Sequence, residues 1–217
     1  MNKLPAPPTL PALLQTVRLQ KAVWPEDELL SAMEFITDNA VTTELSRREM
    51  NGCRFQQCNL PESRFEKSYL RDVVFDRCDL SCCNFTRANL TRVQFIDCRL
   101  TGAIFAGCYC SDLQMIRCRA PYSNFTQAKL HRVSFTGCDL HEAAIDDCRT
   151  DQDALIFSGC DLTDASLTHT SMNGLDLSDS QIDGIAVTLP ELKGAIVSPI
   201  QACELSKLLG IIIKSGE

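Results

Sequence analysis

The sequence predicts an all-β solenoid, a four-sided parallel β-helix, over residues 45–187. A large apolar residue recurs at every fifth position, a small or branched residue stands two places before it, and Phe and Leu alternate at the large position. A period of five fits neither regular structure, because five residues advance an α-helix by about 500° and a strand repeats every two. A chain that turns a corner every five residues satisfies the pattern. Amphipathic helices are the alternative, and the long unbroken series of matches disfavours them.

The number of sides follows from which residues repeat. A coil of ten or twenty residues stacks Phe on Phe, whereas a coil of fifteen residues would stack Phe on Leu. Cysteines recur at a spacing of twenty and thereby favour the longer coil, at Cys58, Cys78, Cys98, Cys118 and Cys138. We therefore expect four sides of five residues each.

Two interior columns are predicted from this register. One is the ladder of the five thiols just named, each about 4.8 Å above the last. The other is a column of rings at Phe55, Phe75, Phe95 and Phe135. A metal or catalytic role is the alternative for the thiols, but parallel side chains in a packed core are poor tetrahedral ligands. The ladder is interpreted as packing.

The register breaks once. After Ile145 the large positions resume at Phe157, which requires two extra residues between them. The polar stretch 146–153 is the expected place for a bulge or a short loop.

Triplets such as CDL, ANL and CNF fit A(D/N)LXX units and cover residues 45–187. In these units the chain resembles the pentapeptide-repeat family. The resemblance implies a right-handed quadrilateral β-helix with four pentads in each coil. About seven coils would form a rod roughly 33 Å tall.

The C-terminal segment, residues 188–217, is predicted to contain a helix and a short strand. Ser198 is a favourable N-cap, Pro199 fits the first helical position and Gly210 is a natural end. Three consecutive isoleucines, residues 211–213, favour a strand after it.

The stretch LKGAIVSPIQACELSKLLGIII resembles the C-terminal module of the bacterial Qnr and MfpA-like proteins. The resemblance implies a head-to-head homodimer whose contact would be buried by Ile200, Leu205, Leu208, Leu209 and Ile211. A monomer whose helix only covers its own last coil is the alternative.

Residues 1–44 form a separate N-terminal part. The first 24 residues are rich in proline and are expected to be extended or flexible. From Pro25 a helix-starting proline, early acids and apolar spacing predict a helix that caps the first coil. The Qnr and MfpA-like pattern lacks an extension of this length.

Charge is segregated along the chain. Residues 47–137 contain fourteen Lys/Arg and eight Asp/Glu, a balance of +6, whereas residues 138–184 contain eleven acids and only Arg149, a balance of −10. A negative belt attracts proteins built to hold a phosphate backbone. The candidate partner-binding acids are Asp146, Asp147, Asp151, Asp153, Asp161, Asp164, Asp176 and Asp179.

The resemblance implies a DNA mimic that occupies the DNA-binding surface of DNA gyrase or topoisomerase IV and alters quinolone sensitivity. Two alternatives stay open. In one, the acids serve only to keep the solenoid from aggregating. In the other, the chain is a generic scaffold or adaptor that binds a protein through its faces or its N-terminal extension.

Other classes are disfavoured. There is no phosphate loop, GxGxxG or nucleophile elbow, so we expect no enzyme, no catalytic or metal-binding residues and no cofactor. The thirteen cysteines are odd in number and no export signal precedes them, which predicts a cytoplasmic chain without membrane association. Direct nucleic-acid binding is not expected, because Asp72, Arg92, Asp112 and Arg132 would form an alternating, self-neutralising ladder.

Overall fold

The computed structural model describes residues 4–19, 29–150 and 155–214. The chain is a parallel β-solenoid of about seven turns with one short helix near the C-terminus. The strands of its single sheet are β1 (Gln15–Thr16), β2 (Leu30–Ser31), β3 (Met33–Ile36), β4 (Glu49–Asn51), β5 (Arg54–Gln56), β6 (Tyr69–Asp76), β7 (Asn89–Ile96), β8 (Tyr109–Ile116), β9 (Lys129–Thr136), β10 (Arg149–Thr150) and β11 (Leu155–Ser158).

Each coil has four sides, numbered here by their central residues in one coil. Side 1 is centred on Leu70, side 2 on Phe75, side 3 on Leu80 and side 4 on Phe85, and all four side chains are buried. Successive coils pair in parallel with an offset of twenty residues, as in Phe75 opposite Phe95. The predicted four-sided β-helix is confirmed.

The corners explain how the chain turns every five residues. In the described coils up to Gly174, the residue two places after a central residue has a left-handed backbone, with φ of 55° at Asp72, 53° at Arg77 and 57° at Arg87. This conformation costs a non-glycine residue about 1–2 kcal/mol. Hydrogen bonds between coils offset the cost, as where the Arg77 N–H donates to the Ile96 carbonyl over 2.8 Å. Corner side chains therefore stand outward in vertical columns.

Stacked rings fill the shaft. On side 2, Phe55, Phe75 and Phe95 stack with centroids 4.7 and 4.9 Å apart. On side 4, Phe85 and Phe105 stack at 4.9 Å and meet the side 2 rings edge to face. These two arrangements are the favourable ones for aromatic pairs. The Phe column predicted from the sequence is therefore stacked from Phe55 to Phe95, and Met115 separates it from Phe135.

The predicted N-terminal capping helix is wrong. Residues 25–28 lie outside the described residues, and the segment that follows forms β2 and β3. Leu30 and Phe35 occupy central positions opposite Met50 and Phe55, so the repeat begins before residue 45. Apolar residues in this stretch fit both a helical and a five-residue period, and the hydrogen bonds to the next coil decide between them.

Strand β1 closes the first coil instead of a helix. It pairs in parallel with β3, Gln15 opposite Met33, and covers a strand that would otherwise present an open edge. Farther along, the Leu19 N–H donates to the Asp38 carboxylate over 2.5 Å.

The register break lies where it was predicted. Thr150 pairs with Leu130 at the usual offset of twenty, whereas Leu155 pairs with Val133 at an offset of 22. The two extra residues are therefore within 151–154, which lie outside the described residues.

The C-terminal end is closed by helix α1 (Pro199–Ser206), followed by a 3₁₀ turn (Lys207–Leu209) and a left-handed Gly210. Ser198 caps the helix as predicted, its hydroxyl accepting from the Gln201 N–H. The buried Gln201 amide donates to the carbonyls of Leu177 and Ser180 over 2.8 and 2.7 Å, which satisfies open acceptors of the last coil.

The predicted short strand after the helix is not present. Residues 211–214 have no regular secondary structure. A strand needs a hydrogen-bonded partner, and the described chain offers none to this segment.

Candidate interaction surfaces

The cysteine ladder is an interior packing column. Cys78 and Cys98 are each 2% exposed and lie one above the other, as predicted. Each thiol donates to a carbonyl of the coil below, Cys98 to Phe75 over 3.4 Å. The column extends beyond the predicted five residues to Cys160, whose thiol donates to the Phe135 carbonyl over 3.4 Å.

Burial raises the pKa of two interior thiols outside the ladder, to about 12 at Cys83 and to about 12 at Cys148. Within the ladder, hydrogen bonds between neighbouring thiols act in both directions: they raise the pKa of Cys98 and lower those of Cys78 and Cys118. Cys78 and Cys118 are only 2% and 1% exposed, so their sulfur atoms are out of reach of a substrate in solution. Among the described residues no group of three or more His, Cys, Asp or Glu side chains is arranged to hold a metal ion.

The column at the corner between sides 1 and 2 is neutralised by ion pairs. Arg92 donates to Asp72 over 2.7 and 2.6 Å, and Arg132 donates to Asp112 over 2.6 and 2.6 Å. The hydrogen bond from Arg132 lowers the pKa of Asp112, although burial opposes it. The alternating ladder predicted from the sequence is present.

An N-terminal strap, residues 4–14, lies along this same column. The backbone N–H of Ala6 donates to Asp112 over 3.0 Å and that of Thr9 donates to Asp72 over 2.8 Å. Both aspartates therefore have two partners, an arginine of the next coil and an amide of the strap. Of the 24 residues expected to be extended or flexible, the strap is extended and is bound to its own shaft.

Sequence reasoning missed the strap because its contacts are remote in the chain, Ala6 and Asp112 being 106 residues apart. One signal was available. Gly52 stands where the next four coils carry the charged residues of the ladder, Asp72 to Arg132, and a Cβ there would lie 2.7 Å from the Pro11 ring.

The acidic band consists of Asp146, Asp147, Asp161, Asp164, Asp176 and Asp179; Asp151 and Asp153 lie outside the described residues. These acids are not on one face. Asp146 and Asp147 belong to side 4 and its corner, Asp161 and Asp164 to side 3 and its corner, and the other two to side 2 and its corner. The acidic band therefore extends over three of the four sides of the last coils.

The acids differ in burial and in the hydrogen bonds that their carboxylates accept. Asp146 is half-buried and accepts from Ser166 and Thr168, whose hydroxyls lie 2.5 and 2.7 Å away. Hydrogen bonds from Thr163 and from Ser178 lower the pKa values of Asp161 and Asp176 respectively. Asp146 is therefore engaged within the shaft, by two hydroxyl groups of the next coil.

The C-terminal apolar segment is mostly uncovered. Exposure is 79% at Ile200, 59% at Leu209 and 50% at Ile211. Leu208 is 46% exposed, whereas Leu205 packs against the core and is only partly accessible. Four of the five residues predicted at a dimer contact are therefore available on the surface, and Leu205 already has an intramolecular role.

None of the described helices is long and apolar enough to span a bilayer.

A four-sided shaft filled mostly with apolar side chains defines a β-helical solenoid. Sequence profiles of the pentapeptide repeat region match residues 48–125 and 88–153, and the profile of pentapeptide repeats in eight copies matches residues 155–184. The chain belongs to the pentapeptide-repeat family.

Solved structures show the same fold. A trypsin-treated variant of QnrB1, a plasmid-mediated fluoroquinolone resistance protein, superposes with a TM-score of 0.54 at 20% identity, covering 84% of this chain and 100% of that one. HetL, a pentapeptide repeat protein involved in heterocyst differentiation regulation from Nostoc sp. strain PCC 7120, gives 0.47 at 18% identity, covering 77% and 90%. A search of curated proteins found no match.

Proposed function

We propose that this chain is a non-enzymatic, dimeric interaction protein of the bacterial cytoplasm that modulates a type II topoisomerase by DNA mimicry. The observation that carries the proposal is the position of the acidic band directly beside the exposed C-terminal apolar segment. QnrB1, whose fold the shaft shares, is a fluoroquinolone resistance protein.

Dimerisation is supported by the uncovered apolar side chains. Ile200, Leu209 and Ile212 are 79%, 59% and 88% exposed at one end of the shaft. Burying such side chains contributes about 25 cal/mol per Å² of apolar area, and a second copy meeting this end would supply the cover. A symmetric contact of this kind closes after two chains.

Mimicry is supported by the geometry that such a dimer would have. Two acidic bands would flank its centre, one on either side, and form a negative stretch across the middle of a rod. Asp164 and Asp179 stand exposed on different sides of the shaft, so a saddle-shaped, positively charged partner could contact several carboxylates at once.

The dimer is tested by light scattering during gel filtration at tens of micromolar protein. We expect the wild-type mass to be twice that of the chain, and Leu209→Arg to reduce it to that of the monomer. Val41→Arg, an equally exposed apolar position (50%) in the first coil, is the matched control and should stay dimeric. A monomeric wild type would contradict the proposed assembly.

The target is tested with purified DNA gyrase in a supercoiling assay, with and without ciprofloxacin. We expect low micromolar wild-type protein to change supercoiling or the drug's inhibition of it. Asp164→Asn combined with Asp179→Asn should weaken the effect at least fivefold, whereas Glu49→Gln combined with Glu62→Gln, two exposed acids outside the band, should leave it unchanged. The proposed function is wrong if wild-type protein neither binds gyrase nor changes supercoiling or its inhibition by ciprofloxacin.

A generic scaffold is the second candidate. Its use of the N-terminal extension is less favoured, because residues 4–14 already contact Asp72 and Asp112 of their own shaft. A pull-down with the full chain and with a chain lacking residues 1–14 distinguishes the two, since only this candidate requires the extension for capture of a partner.

A further inference from the structure

We propose that side 1 of the shaft, with the corner between sides 4 and 1, binds a single-stranded nucleic acid. The column at this corner consists of Arg47, Lys67 and Arg87 in three successive coils. All three side chains are exposed, and within the described part of the chain no acid lies within ion-pair distance of them.

This column is unlike the other corner columns that carry arginine. At the corner between sides 2 and 3, Asp97 stands between Arg77 and Arg117, and Arg117 donates to it over 2.7 and 2.8 Å. Three cations stacked about 4.8 Å apart repel one another. An anion bound along the column would relieve that repulsion.

Side 1 continues the positive charge beside the column. Its outward positions include the exposed Arg71, Lys129 and Arg149. The acids nearest the strip are Glu44, Glu49, Glu66, Asp146 and Asp147. Glu66 accepts from Asn84 over 2.8 Å, Asp146 accepts from Ser166 over 2.5 Å, and Asp147 faces His169 at 3.3 Å. The six cations therefore outnumber the five acids along a strip of five coil spacings, about 24 Å long.

Two exposed tyrosines stand within the strip. Tyr69 and Tyr109 are 61% and 43% exposed and occupy the same outward column, two coils or about 9.6 Å apart. A depression of about 400 Å³ is lined by Tyr109, Lys129, His131 and Arg149. Cations that follow a phosphate backbone, combined with rings on which bases stack, are the features of single-strand binding surfaces.

The shape favours a single strand over other polyanions. Side 1 is only about three extended residues, roughly 10 Å, across. An acidic polypeptide would satisfy the cations but would make no use of the two rings. The acidic band does not cancel the column of three cations, because Arg87 and Asp147 are three coils apart, about 14 Å, which exceeds the Debye length of about 10 Å at 0.1 M salt.

The experiment measures fluorescence anisotropy of labelled dT12 and rU12 with the full-length protein between 50 and 200 mM salt. We expect both to bind at 50 mM. Replacing Arg47, Lys67 and Arg87 with Gln should weaken binding at least tenfold. It should also reduce the slope of log K against log salt concentration by about 2, since each phosphate contact contributes about 0.7 to that slope. Tyr69→Leu combined with Tyr109→Leu should weaken binding at least fivefold while keeping the slope.

The matched control replaces Arg77, Arg99 and Arg117 with Gln, removing the same charge from two neighbouring columns in which Asp97 and Asp79 are interleaved with the arginines. It should bind as the wild type does. The proposal is overturned if the wild type does not bind at 50 mM salt, or if the control loses as much affinity as the strip variant. It is also overturned if twelve-residue poly-glutamate competes as well as dT12 and the tyrosine variant binds normally, which would identify an acidic polypeptide as the ligand.

Discussion

Replacing Phe95 with alanine tests the interior of the shaft most directly. The Phe95 ring is fully buried, stacks on Phe75 at 4.9 Å, and meets Phe85 and Phe105 edge to face at 5.9 and 6.0 Å. Truncation of a buried Phe costs about 3–5 kcal/mol, and each aromatic pair contributes about 0.5–1.5 kcal/mol beyond its area. With three ring pairs lost, we expect about 4 kcal/mol.

The assay is urea unfolding monitored by far-UV circular dichroism. The free energies of unfolding of wild type and variant are compared where both show the same dependence on urea concentration, the m value. Ile96→Ala is the matched control, because Ile96 is the next residue of β7 and points outward, and we expect it to cost about 1 kcal/mol or less. Phe95→Asp should yield no folded protein, since an unpaired charge would enter the ring stack. A cost at Ile96 equal to that at Phe95 would refute the inside and outside assignment of the pentads.

Three further outcomes are expected. Thr9→Pro removes the backbone donor to Asp72 and should lower the free energy of unfolding by about 1–2 kcal/mol, whereas Thr9→Ala keeps that donor and should be neutral in the same urea assay. The pKa of Asp112 is lowered in the folded chain, so its contribution is complete above the unfolded pKa of about 3.9 and is lost as the pH falls through the lower folded value. The stability gap between wild type and Asp112→Asn should therefore shrink in urea titrations below about pH 4, and a gap independent of pH would contradict the shift. Native protein should react with Ellman's reagent at two thiols, Cys82 and Cys203, and at all thirteen only after unfolding.

The shaft was predictable because the residues that fill it recur at fixed spacings of five and twenty in the sequence. The spacing of twenty between Cys78 and Cys98 placed both in one interior column, and the structure confirms the pair. The same arithmetic placed the two-residue insertion before Phe157. The helix predicted from Pro25 is wrong. The positions of Leu30 and Phe35 fit both the helical period and the five-residue period, and only pairing with the next coil favours the strand.

The candidate surfaces were predictable only in part. The segregation of charge between the two halves of the shaft follows from counting residues, and so does the alternating ladder that begins at Asp72. That Lys67 forms no ion pair with the neighbouring Glu66 or Glu44 does not follow from counting, because it depends on how the side chains of adjacent columns are placed around the shaft. Leu205 was assigned to a dimer contact from the sequence, whereas packing against its own core engages it in the structure.

The sequence by itself determined the four-sided shaft, its register and its filled interior. The reason is that each five-residue unit repeats the same pattern of large and small apolar residues, and each coil contacts only its neighbours. The tertiary structure alone decided how the two ends are closed and which charges stay unpaired. The strap reaches Asp112 across 106 residues, and the Gln201 amide meets the carbonyl of Leu177 across 24. Such contacts join segments remote in the chain and follow no period, so they exist only once the coils are stacked.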